Sequence, residues 1–360
     1  MLKKILIISI IVAFIATLGL TGAGCKTNVT TTTAAETTKT AAETTVAAET
    51  TKTATEVITI GVSLDNLNDP FWVGIKVGIE AAAKELEGKA KVEIQVSEGD
   101  ANVQNKQIQD MITAGTKGIA CVYVDMQAIL QSVKLANEKN VPFVYCDRTL
   151  ESTNDAKVAW GIGTDNYALT KNGWEWMAKY ARDNNIKVKV LELVGSLTDD
   201  NVLKRTKGFE DVMSANKDII ERIQSVPTEW NLEKALAGVT NALQASPEIN
   251  CIFMHSDYLL APTIQALQSA NRWVKIGEKG HIMVMPYSGN ESSVKAMKDG
   301  YVEMTFGMDV FKEGYEATMA AYNIATGTKE YGEPLADPGF IMTQENLAET
   351  SLKAYGTFKQ

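Results

Sequence analysis

The sequence predicts an α/β protein of two doubly wound, parallel-sheet, Rossmann-like lobes with a ligand cleft between them. Two observations carry this prediction. From Val57 onward, short β-branched runs alternate with stretches whose apolar residues recur at helical spacing, the pattern of strands covered by helices on both faces. The alternation also runs through two successive series, and 360 residues suffice for two ordinary domains. Ligands of such sheets bind beyond the carboxyl ends of the strands, so two lobes facing each other there make a cleft.

The first strand covers 57–62. Asp69 then stands as a helix cap with Pro70 at the first helical position. Phe71, Ile75, Ile79, Ala82 and Leu86 follow as one helical stripe. A strand at 92–96, a helix over about 101–115, a strand at 118–124, a further helix and a strand at 141–146 complete the first series. The second begins near Ala159. Its helices are expected at 166–183, 200–216, 230–245 and 258–271, alternating with strands at 188–194, 219–226, 249–254 and 281–286. A last unit holds a helix at 290–299, a strand at 301–306 and a helix at 311–326. Two sheets of similar size are expected.

Residues 1–24 have the layout of an export signal. Lys3 and Lys4 precede an apolar run from Ile5 to Leu20, and small residues lead to Gly22-Ala23-Gly24-Cys25. Small residues directly before a cysteine resemble the bacterial lipobox, which implies acylation of Cys25 and an anchor in the cell membrane. Gly22 stands where that motif prefers Leu. Residues 25–56 are nearly all Thr, Ala, Glu and Lys, with AAETT at 34–38, 41–45 and 47–51. Such a segment lacks the large apolar residues needed to bury a core and is expected to be a disordered tether.

Composition excludes several functions. The formal net charge of −9 argues against nucleic acid, whose phosphates demand a basic face. There are two histidines, His255 and His281, far apart in the chain, so no His-rich metal site is expected. No Walker A or GxGxxG sequence provides a phosphate cradle, and no cofactor is expected. Cys121, Cys146 and Cys251 lie in strand-like apolar runs without a CxxC pair and read as buried free thiols. A Cys121–Cys146 disulfide depends on geometry the sequence does not give.

The stretch from Ser63 to Trp72, SLDNLNDPFW, resembles the N-terminal motif of the ribose- and galactose-binding type I periplasmic binding proteins. The resemblance extends through Asp147-Arg148, Arg205, Gly208-Phe209 and Trp230, and covers about 57–343. It implies two lobes joined by three crossing segments that close around one monosaccharide, delivery to the permease subunits of an ABC importer, and no enzymatic activity. On that pattern the first lobe is 57–162 plus about 309–337, and the second about 163–308 plus 338–360. A monomer, touching the membrane only through its lipid anchor, is expected.

The chemistry matches residue by residue. Aromatic planes suit the C–H faces of a sugar ring, and Phe71, Trp72 and Trp230 would supply them. Charged groups suit the hydroxyl rim, with Asp147 accepting and Arg148 and Arg205 donating. Each has a structural rival: Asp69 as a cap, Phe71 as core, Asp147 and Arg148 as an ion pair, Arg205 as a solvated helix charge, Trp230 as a packed aromatic. The chain departs from the family with Ser256 before Asp257 in place of Asn, Ser288 in place of Asp, and Met308 in place of Gln. At these three positions the alternative to a monosaccharide is a non-standard small ligand, such as a sugar alcohol, inositol, nucleoside or furanosyl signal. A sensor of the same fold, a transcription regulator sharing the two-lobed body and a hydrolase using Ser256 with His255 are competing readings. An export signal stands where the regulator would carry its DNA-binding helices.

Overall fold

The computed structural model describes residues 57–353 and Tyr355. The export signal, the tether and Cys25 lie outside the described residues. In the first half, strands β1 (Ile58–Leu64), β2 (Ala90–Val96), β3 (Gly118–Cys121), β4 (Phe143–Cys146) and β5 (Trp160–Thr164) alternate with helices α1 (Pro70–Glu85), α2 (Ala101–Thr113) and α3 (Leu130–Glu138). The second half runs α4 (Asn166–Asp183), β6 (Val188–Val194), α5 (Asp200–Ala215), β7 (Ile220–Pro227), α6 (Leu232–Ala245), β8 (Cys251–Met254), α7 (Leu260–Ser269), β9 (Met283–Met285), β10 (Tyr287–Ser288), α8 (Glu291–Lys298) and β11 (Met304–Gly307). The chain closes with α9 (Val310–Thr326), β12 (Leu335–Asp337), β13 (Phe340–Thr343) and α10 (Leu347–Thr350).

One sheet has six strands in the order β12-β5-β4-β3-β1-β2, and every pairing in it is parallel. The second half does not form one sheet of matching size. It holds a four-stranded parallel sheet, β7-β6-β8-β9, and a three-stranded one, β10-β11-β13. Pro286 separates β9 from β10, because it has no N–H to give a ladder. Its carbonyl still accepts from Phe306 N at 3.1 Å. The β11–β13 pair is antiparallel, since β13 comes back from the first sheet in the opposite direction. The strand expected from 301 starts at Met304 instead. Tyr301 N is held by Ala296 O at 2.9 Å after the positive-φ Gly300, and the Tyr301 ring stacks on Trp273.

The chain passes between the halves three times, at Thr164–Asn166, Gly307–Val310 and Asp337–Phe340. The last of these carries Gly339 at φ 58°, where an added Cβ would lie 2.9 Å from Gly307 O and 2.6 Å from Leu169 Cδ2. Only glycine takes that backbone in that space. Asp165 N also donates to Asp337 O at 2.7 Å, so the crossings are tied to one another. Helix α9 returns to pack on α1 and on the first sheet.

The core follows the apolar stripes. Ile75, Ile79 and Leu86 of the predicted stripe are buried against β1 and its neighbours. In the second half Trp174 is fully buried against Phe209 and Phe253, at centroid distances of 4.3 and 5.5 Å. Cys121, Cys146 and Cys251 are buried free thiols, so the Cys121–Cys146 bridge is not formed.

Candidate functional site: a cleft beyond the strand ends

The loops that leave β1, β4, β6, β7, β8 and β10 converge on a cleft of about 530 Å³, a size suited to a small ligand. The first half contributes Asp65, Asp69, Phe71, Trp72, Asp147 and Arg148 to its wall; the second contributes Asp199, Asn201, Arg205, Trp230, Ser256, Tyr258 and Ser288. A common local design places three of them. After β1, β6 and β8 the chain turns and starts a helical segment, and the capping residue lands at the cleft. Asp69 accepts from Phe71 N at 2.9 Å, Asp199 from Asn201 N at 2.9 Å, and Ser256 from Tyr258 N at 3.1 Å.

The cleft also concentrates backbone strain. Eight non-glycine residues have positive φ among the described residues, and five of them line the cleft: Glu98, Asp147, Glu229, Trp230 and Ser288. The other three are asparagines directly after the C-caps of α3, α4 and α7, where the left-handed region is tolerated. Strain of roughly 1–3 kcal/mol per residue persists where surrounding structure enforces it, characteristically at ligand clamps.

Asp147 and Arg148 do not pair with each other. Arg148 Nη1 donates to Asp65 Oδ2 at 2.9 Å and to the Tyr123 carbonyl. Its Nε lies 3.2 Å from Asp199 Oδ2, across the cleft. Its guanidinium sits 5.0 Å from the Trp72 ring centre. Asp147 turns away at φ 67° and accepts from Asn201 Nδ2 at 3.1 Å, again across the cleft, while its Oδ1 has no hydrogen-bond partner among the described residues. Burial pushes the Asp147 carboxyl up to about 7; Arg148 pulls against this and Asp199 adds to it. Burial likewise raises Asp69 to about 6, against the Phe71 N–H and Ser256 bonds that favour its charge. Behind this layer Glu313 is buried with Thr164 Oγ1 at 2.8 Å, and desolvation followed by the Asp147 charge holds it well above the usual range.

Arg205 is buried, not solvated. Its Nε donates to Asn166 Oδ1 at 2.8 Å, Nη1 to the His255 carbonyl, and Nη2 to Met308 Sδ at 3.7 Å. The guanidinium lies 4.1 Å from the Tyr287 ring centre. Met308 is 1% exposed and outside the cleft wall, so of the predicted site residues it alone backs a neighbour instead of facing the cavity. Phe71 and Trp72 meet edge to face at 4.8 Å, and both line the cleft while also packing in the core. The Trp230 ring packs on Gly195, where an added Cβ would lie 2.0 Å from its Cζ2.

His255 and Ser256 point to different partners. His255 is fully buried with Nε2 3.1 Å from Glu192 Oε1, and Ser256 Oγ serves its own cap and Asp69. The nucleophile–base contact a hydrolase needs is not assembled. Among the described residues no cluster of three or more His, Cys, Asp or Glu is arranged to hold a metal ion.

Sequence reasoning missed Asp65, Asp199 and Asn201. Asp65 lies inside the recognised stretch, and Asp199 is the middle residue of a Thr-Asp-Asp run at a helix start; only the fold turns both toward Arg148. Residues 60–329 match the family model described as a periplasmic binding protein domain. The chain belongs to this family. An extracytoplasmic location follows from that membership. The ribose import binding protein of Bacillus subtilis is 30% identical over 272 residues, 75% of this chain and 83% of that protein. The D-allose-binding periplasmic protein of Escherichia coli is 27% identical over 249 residues, 68% of this chain and 77% of its own length. The ribose import relative is a transport binding protein and not an enzyme. Among solved structures, an ABC transporter solute binding protein from Bacillus halodurans with bound myo-inositol superposes with a TM-score of 0.73 at 20% identity, covering 83% of this chain and 99% of that one. A galactofuranose binding protein gives 0.74 at 18% identity, covering 82% and 98%. These two likenesses establish the shared fold of the family.

Proposed function

We propose that this binding protein captures a monosaccharide or a close polyol relative by closure of its two halves and delivers it to an ABC importer. The observation that carries the reading is the pair of polar contacts across the cleft, Arg148–Asp199 and Asp147–Asn201, between groups whose strand ends belong to different halves. A ligand touching both sides has the differential affinity needed to favour the closed state. Asp147 Oδ1 accepts from a hydroxyl, Arg205 donates from its weakly satisfied Nη2, and Phe71, Trp72 and Trp230 cover ring faces. Asp69, Ser256 and Ser288 complete the rim, with Met308 acting through Arg205. The short side chains of Ser256 and Ser288 leave room for a bulkier or less hydroxylated ring than ribose. The halves are taken as lobes, 57–162 plus about 309–337 and about 163–308 plus 338–360. Cys25 carries the lipid anchor, and 26–56 form the leash.

Thermal shifts against pentoses, hexoses, sugar alcohols, inositols and nucleosides test this directly. A ligand that binds only the folded state stabilises it by roughly 2.7 kcal/mol at a hundred times its Kd. A concentration-dependent rise with one carbohydrate or polyol is expected. A flat response to the whole panel, with a rise for amino acids or peptides, overturns the carbohydrate assignment.

A further inference from the structure

Tyr355 stands near the end of the chain, outside the strands and helices, and touches both halves of the molecule. Its hydroxyl donates to Asp257 Oδ1 at 2.8 Å. Its backbone forms an isolated bridge with Asn290, the cap of α8. Its ring meets Phe71 edge-on, with centroids 5.8 Å apart and planes at 90°. A Cβ on Gly74, one turn along α1, would lie 3.5 Å from the same ring. Asp257 and Asn290 follow strands of the second half, whereas Phe71 and Gly74 lie on α1, packed on α9 and the first sheet. The residue is 1% exposed.

The two sets of contacts differ in kind. Toward the second half they are directional. Asp257 is itself fixed there, because its Oδ2 accepts from Asn290 N at 2.6 Å and from Ser293 Oγ at 3.3 Å. Burial pushes the Tyr355 phenol well above its usual range, so it remains a donor. Toward the first half the contact is an edge-to-face ring pair without a hydrogen bond, which sets how the two rings lie against each other but is weaker than a bond to a carboxylate. Parting of the halves therefore leaves Tyr355 on Asp257 and strips it from Phe71, returning two aromatic surfaces to water. Ser288 also takes a hydrogen bond with the phenol. One residue thus backs two members of the cleft wall, Phe71 and Ser288.

We infer that Tyr355, held by Asp257 and set edge-on against Phe71, is a positioning residue that favours the closed cleft and orients the Phe71 ring toward the ligand. This rests on the reading of the halves as closing lobes, but not on the identity of the ligand. The test compares Tyr355→Ala and Tyr355→Phe with the parent in a Cys25→Ser background, ligand-free, by small-angle scattering and amide hydrogen exchange. Tyr355→Ala is expected to enlarge the radius of gyration and to speed exchange in the first two turns of α1, while the distant amides of Ile108–Ile112 are unchanged. Tyr355→Phe keeps the ring but loses the Asp257 bond, and is expected to fall between the two. Parent-like scattering and exchange in both variants overturn the inference. If the alanine variant does not fold, the near-isosteric phenylalanine variant decides, and parent-like behaviour in it overturns the inference as well. Both readouts are taken without ligand, so a flat carbohydrate panel and a failure here are separate results.

Discussion

At the scale of single residues, the cleft depends on acids held in a desolvated place. Asp147 is 1% exposed, carries one unpartnered oxygen, and has its carboxyl pushed up to about 7. In the unfolded chain the same group titrates near 3.8. The folded state therefore holds this proton more tightly. Its contribution to stability is fully present below the unfolded value and is lost as pH rises through about 7. Asp147→Asn should thus raise the melting temperature of the ligand-free protein at pH 8 relative to the parent, leave it nearly unchanged at pH 4, and weaken ligand binding. A melting curve with the same pH slope as the parent would contradict the assignment. Asp147→Ala, which removes both acceptors, should cost roughly 2–5 kcal/mol of binding if the contact is a desolvated charged one. Parent affinity in that variant would remove Asp147 from the site. Asp147, Arg148 and Arg205 were legible because each falls at a position of the family resemblance, and the first two also because they stand at a strand's carboxyl end. It did not show that Arg148 pairs with Asp65 and Asp199 instead of its neighbour, since that choice depends on which way a left-handed residue turns the backbone.

At the scale of elements, the strand-to-helix turns determine what the cleft presents. Trp230 precedes the Asn231 cap of α6, and two successive left-handed residues, Glu229 and Trp230, swing its indole onto Gly195 at the end of β6. The indole takes this position only over a glycine, because its ring atoms sit where a Cβ would be. Gly195→Ala should displace the indole and weaken ligand binding several-fold with little change in melting temperature, because the indole is partly exposed and can move into the cleft. Titration of the cleft ligand followed by tryptophan fluorescence measures it. Unchanged affinity would mean that Trp230 does not cover the ligand. Most helices and strands were readable from periodicity, and α4 and β6 match their expected ranges at both ends. The errors fall where local pattern gives way to partners. Pro286 splits an apolar run into β9 and β10, and Tyr301 leaves its expected strand to stack on Trp273.

At the scale of the whole molecule, three crossings and one buried tyrosine link the halves, while the proposed lipid at Cys25 links the protein to its membrane. Cys25→Ser should release the protein from the membrane fraction and leave ligand affinity intact. Continued sedimentation with membranes would refute the anchor. The alternation of strand and helix, the two successive series, the acidic character and the aromatic and charged residues at the strand ends are all readable along the chain. Those are local properties, written in spacing and side-chain chemistry. How unlike the sheets are, which acid meets which arginine, the support of Arg205 by Met308 from behind, and the place of Tyr355 between Asp257 and Phe71 emerge from three-dimensional packing. Those are pairings between residues far apart in the chain, and no periodicity records them.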